Sequence, residues 1–129
     1  MPAEQYSNAN LRSYEAAGDQ SSNQFKMMEL QSDGQVDAAN GLTDHVVGIL
    51  MNDPSAEGSP AEVCVEPGAH VKLEVTAATT NISIGDNIGV NTDGTGLKVT
   101  SGKYFCKAQQ AATATGVRII VEWIGATDT

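Results

Sequence analysis

Alternation of apolar and polar residues sets the predicted secondary structure of most of this chain. Val71-Lys72-Leu73-Glu74-Val75 places three branched side chains on one face and two charges on the other, the two-residue period of a half-buried strand. Val117-Arg118-Ile119-Ile120-Val121-Glu122-Trp123 does the same, with one face wholly apolar and Ile120 interrupting the polar face. Leu97-Lys98-Val99 alternates as well. Weaker patterns extend the set to eight predicted strands, at 25–31, 46–52, 62–66, 70–76, 86–91, 97–100, 103–108 and 117–124. Between them stand Asp33-Gly34, Asn40-Gly41, Asp53-Pro54, Pro67-Gly68, Asp93-Gly94 and Ser101-Gly102. Each pair supplies a preset or a tolerated positive φ, the requirement of a tight turn. No segment of ten or more residues holds a 3.6-residue period. Gln109 to Thr115 is Ala-rich, but Thr113, Thr115 and the following Gly116 limit it to a turn of helix. The chain is therefore predicted mainly β, in a barrel or sandwich.

One hairpin can be predicted residue by residue. Val63 and Val65 share a face with Val71, Leu73 and Val75 if Val65 lies opposite Val71 and Val63 opposite Leu73, with Pro67-Gly68-Ala69 as the loop. A one-residue slip would set valines against His70 and Lys72, so this pairing has one register. It puts Glu66 opposite His70 and Cys64 opposite Lys72, on the polar face.

Residues 1–24 depart from this pattern. Ten of the 24 are Asn, Gln or Ser, and apolar residues follow no sustained period. The composition predicts a polar arm that orders only on a partner, ahead of a single β-rich domain over 25–129. Tyr6, Leu11, Arg12 and Tyr14 are its candidate anchors.

Composition narrows the partners. A chain of 129 residues has room for one domain,. Sixteen acids against seven Lys and Arg give a net charge of -9. That balance disfavours nucleic acid, whose phosphates need clustered cations, and anionic membrane surfaces. The acids are unevenly placed. Eight lie between Met27 and Val71 with no Lys or Arg among them, whereas five acids and five bases follow from Lys72. The longest apolar run, Val46 to Met51, is too short to span a bilayer,. The N-terminus has no basic region followed by an apolar one, so no secretory signal is expected. Cys64 and Cys106 are isolated, and neither a disulfide between them nor a metal site of CxxC type is expected.

Candidate chemistry is sparse. No G-x-S-x-G elbow occurs. Cys64 and His70 are near in sequence, but an exposed His70 beside Glu66 explains the histidine without catalysis. Asn91-Thr92-Asp93-Gly94 suggests a calcium loop. Placing Gly94 sixth, however, puts Gly89 first and Thr100 twelfth, where ligands are required,. A hairpin turn explains Asp93-Gly94 better. His45 beside Asp44 has no second His or Cys at ligand spacing. Lys103-Tyr104-Phe105-Cys106-Lys107 interleaves aromatics with bases as a single-strand-binding face would, yet a strand carrying an aromatic into the core is the ordinary account. No catalytic residue, cofactor or metal is expected.

The order of motifs from His45 onward carries a resemblance. Gly48 to Pro54 leads into the acidic Glu57-Gly58 loop, then the Val-rich stretch Val63 to Val75, then Gly85-Asp86-Asn87-Ile88, then Asp93-Gly94-Thr95-Gly96, and last an apolar strand ending at Ile124. This resembles the small capsid decoration (cement) proteins of tailed bacteriophages. The resemblance implies a compact β-barrel or β-tulip-like body on the outer capsid surface of a virion, made in the bacterial cytoplasm. It implies binding to the major capsid protein without catalysis, cementing neighbouring subunits, with self-association as a trimer or dimer. The alternative is a β module that binds a ligand or host glycan at a particle surface, although the body has only four aromatics on which sugars could stack.

Overall fold

The computed structural model describes residues 11–41, 45–77 and 80–128. These residues form ten strands and no helix. They are β1 (Leu11–Ala16), β2 (Met27–Leu30), β3 (Gln35–Ala38), β4 (Val46–Leu50) and β5 (Pro60–Cys64), then β6 (His70–Glu74), β7 (Asn87–Val90), β8 (Gly96–Lys98), β9 (Lys103–Ala108) and β10 (Arg118–Asp128). The first five close into a barrel in the order β1-β3-β2-β4-β5. The other five form a second sheet in the order β6-β10-β9-β7-β8. The two outer strands of that sheet approach each other just past β6, where Val75 bridges Gly96 and the Thr76 N–H donates to the Gly96 carbonyl at 2.8 Å.

Three apolar doublets explain how barrel and sheet pack. Met27-Met28, Ile49-Leu50 and Val63-Cys64 are fully buried. Successive strand residues point to opposite faces, and here both faces are covered. Met28, Leu50 and Val63 fill the barrel interior with Ala16, Val36 and Ala61. Met27, Ile49 and Cys64 point the other way and join the core of the second sheet, among Leu73, Phe105, Val121 and Trp123. In that core the Phe105 and Trp123 rings stack with centroids 6.0 Å apart.

The expected hairpin does not form. β5 pairs with β4 and β1, and β6 pairs with β10. The turn at Pro67-Gly68 exists, closed by the Ala69 N–H on the Glu66 carbonyl at 3.2 Å, but it carries the chain out of the barrel and into the sheet. There Gly68 donates to the Trp123 carbonyl at 2.7 Å, and Trp123 donates to the Ala69 carbonyl at 2.9 Å. Val63 and Leu73 therefore lie in separate interiors. Cys64, expected on a polar face, is buried because its face of β5 is roofed by the second sheet.

The N-terminal boundary also differs from expectation. Residues 11–24, expected in the arm, are built into the body. β1 pairs with β5 along its length from Leu11 opposite Cys64 to Glu15 opposite Pro60, and Ala16 is fully buried. The Gln20 N–H donates to the Pro54 carbonyl at 2.8 Å, and its side chain reaches Asp37 at 3.0 Å. Polar composition misleads here because β1 needs only alternate residues inward, and the innermost is a small alanine.

Barrel and sheet are further clamped at Phe25. Its φ of 68° is unusual for a bulky residue,. Its N–H donates to the Leu50 carbonyl of β4, and its carbonyl accepts from the Glu74 N–H of β6, both at 2.7 Å. The Arg118 guanidinium sits 4.9 Å from the centre of its ring and pairs with Glu74 at 3.8 Å.

Asp93-Gly94 is a hairpin turn, joining β7 to β8. Gly94 takes a φ of 87°, and the Asp93 carboxylate accepts from the Thr95 N–H at 3.1 Å and the Thr95 hydroxyl at 2.6 Å. Burial pushes the Asp93 carboxyl up, but the Thr95 bonds and the nearby Lys26 charge outweigh it and hold the group below its ordinary value. A depressed folded pKa stabilises the protein above the unfolded value, and that contribution is lost as pH falls through the folded one. Asp93→Asn is therefore expected to flatten the acid limb of a stability–pH profile below about pH 5. An unchanged acid limb would remove Asp93 as its source.

Candidate attachment surface

Of the four expected anchors, Tyr6 lies outside the described residues. The structure places Leu11, Arg12 and Tyr14 on β1 but does not bring all three to one face. Arg12, Tyr14 and Ala16 share the face that turns toward the barrel interior, opposite Val63 and Ala61 on β5. The Arg12 guanidinium lies 5.6 Å from the centre of the Tyr14 ring, and Tyr14 is half-buried against the interior cluster. Leu11 points to the opposite face and is 48% exposed. A cation over an aromatic face holds both side chains in place, so Arg12 and Tyr14 act as one preformed unit.

The backbone beside them is half-zipped. On one side β1 is paired with β5 for five residues. On the other it meets β3 only at Glu15 opposite Gln35 and Ala16 opposite Val36. Along Leu11–Tyr14 no described residue pairs with the β3 side of the strand, which among the described residues is an open edge. Such an edge offers N–H and C=O groups to an added extended segment. Composition did not reveal it, because an open edge depends on the shortness of β3 and not on the residues of β1.

Conventional reactive groups are not assembled elsewhere among the described residues. Cys64 belongs to the barrel, whereas His70 opens β6 and lies opposite Glu122 of β10. Both cysteines are free thiols with no exposure. Burial pushes both up, Cys106 well above the ordinary thiol value, with the Cys64 charge adding to the effect. The thiolate is the nucleophilic form, so neither is activated. Phe105 and Cys106 of the Lys103–Lys107 stretch are buried, which removes the alternating platform that base stacking would use. No group of three His, Cys, Asp or Glu able to hold a metal occurs among the described residues.

The sequence matches no family model and no curated protein. Among solved structures the chain is similar to the N base of the head fiber gp8.5 of bacteriophage phi29. The TM-score is 0.59 and the sequence identity 17%, over 93% of this chain and 100% of that one. At that identity the likeness is one of fold, and it spans barrel and second sheet together.

Proposed function

We propose that this protein is a non-enzymatic structural component of a phage head, seated on the outer capsid surface. There it binds the major capsid protein, self-associates as a trimer or dimer, and ties neighbouring capsid subunits together. The observation that carries this is the fold likeness to the head fiber N base over nearly the whole chain. Two filled interiors and two buried thiols support a role without catalysis. Attachment uses the open edge of β1. An extended capsid segment lies along Leu11–Tyr14 and gains main-chain hydrogen bonds, with Leu11, Arg12, Tyr14 and the preceding Tyr6 supplying side-chain contacts.

Phage heads stripped of their surface proteins, titrated with full-length protein, test this. Saturable occupancy is expected. A chain lacking residues 1–10 and carrying Leu11→Glu and Arg12→Glu should need at least about tenfold more protein, or 1.4 kcal/mol. Failure of the full-length protein to bind would overturn the head-surface assignment. Equal occupancy by both chains would move attachment away from β1.

A further inference from the structure

Charge is divided between the two halves of the fold. Ten acids and two bases between residues 11 and 66 leave the barrel half at -8, whereas residues 67–128 carry five of each sign. One end of the neutral half is built from residues 80–85 and 108–117, and neither segment has a charged residue. These segments meet at a reciprocal bridge. The Ile82 N–H donates to the Ala112 carbonyl at 2.8 Å, and the Ala112 N–H donates back at 2.9 Å. Beneath it Ile82 and Ala112 are buried. Beyond it Ile84 is 70% exposed at the tip of a turn closed by Asp86 on Ser83, and Val117 is 38% exposed. The flanking charges are paired, Lys98 with Asp86 at 3.6 Å and Arg118 with Glu74 at 3.8 Å. Ile84, the most exposed large apolar side chain among the described residues, thus stands on a surface of uncharged residues whose neighbouring charges are paired.

We infer that this uncharged end is where a second copy of the chain docks. The inference deepens the self-association proposed above by naming its surface, and charge selects the occupant. Two copies meeting barrel to barrel would set -8 against -8, a repulsion that opposes contact. At the uncharged end neither copy brings net charge to oppose the contact,. Each Ile84 then packs on the partner's 108–117 segment while the partner's Ile84 does the reverse. That reciprocity is what a two-fold contact requires.

Sedimentation of the full-length protein over a concentration series, at low and high salt, tests this. Reversible association is expected, tightening as salt screens the two barrels. Ile84→Glu should raise the dissociation constant at least tenfold with an unchanged melting temperature, because the side chain is at an exposed turn. Glu57→Gln, on the exposed barrel surface, should not weaken association. A wild-type protein that stays monomeric throughout would overturn self-association itself. Association that survives Ile84→Glu would keep self-association but overturn this surface. Association weakened by salt would mean that opposite charges hold the contact, and association weakened by Glu57→Gln would bring the barrel into it; either would overturn this surface. Loss of head occupancy by Ile84→Glu, with a monomeric wild type, would give the end to the capsid instead.

Discussion

A chain beginning at Ala17 is expected to show no cooperative unfolding transition by heat or denaturant. Losing β1 removes the strand between β5 and β3 and turns both into edges. It also takes the fully buried Ala16 and the half-buried Tyr14 out of the barrel wall. Met28, Val36, Leu50 and Val63 then face an opening. Exposing even three of these four side chains costs about 5 kcal/mol or more, comparable with the roughly 5–15 kcal/mol that holds a whole domain together. A chain beginning at Leu11 keeps all ten strands and is the control. Circular dichroism and a denaturant melt of the two truncations make the comparison. A sharp transition in the shorter chain, near that of the longer one, would mean that the barrel does not depend on β1.

Gly48→Ala is expected to destabilise the protein by about 3 kcal/mol or more, near the top of the range for overpacking a core. For a chain of this length that is a fall in melting temperature of roughly 10 °C. Gly48 lies opposite Met28 in the ladder between β4 and β2. A Cβ there would land on the Cys64 carbonyl oxygen, with the Val63 Cγ1 at 2.6 Å and the Cys64 carbonyl carbon at 2.9 Å. Two of these three atoms are backbone and cannot rotate away. The reason is space and not φ, since Gly48 is outside the positive-φ glycines. Gly41→Ala, where a Cβ meets nothing within 4 Å, is the matched control. Equal melting temperatures for the two variants would show that β4 and β5 do not approach so closely.

How much of this was legible follows from what each strand has to bury. The eight expected strands all have counterparts, since each carries apolar residues at a strand period or in a short run. β1 and β3 were missed, and for one reason. β1 contributes Ala16 as its fully buried residue and β3 contributes Val36, and one small or β-branched residue makes no period. The doublets were visible as apolar runs, but nothing in them says that the second face is covered by another sheet. That ambiguity misplaced Cys64. The hairpin was misread because the valines on either side of Pro67-Gly68 keep the same parity whether β5 and β6 pair with each other or with different strands. Among the site residues, Leu11, Arg12 and Tyr14 drew notice as apolar, aromatic and basic points in a polar stretch. Their division between two faces, and the open edge beside them, needed the strand pairing. The uncharged end was printed in the sequence as two charge-free segments, but only the Ile82–Ala112 bridge makes them one surface.

The half-zipped position of β1 has a mechanical consequence. A protein on a pressurised or colliding particle feels force through whatever attaches it. Tension entering from the N-terminal side of Leu11 and directed along the strand meets the five-residue β5 ladder with its hydrogen bonds lying across the pull,. They are loaded together, in shear, and do not peel open one at a time. The shared core behind Met27, Ile49 and Cys64 then spreads that load from barrel to sheet. Forced unfolding is governed by an unfolding rate and not by equilibrium stability, so the lifetime of β1 under load is set by how it shears from β5 and from its short pairing with β3.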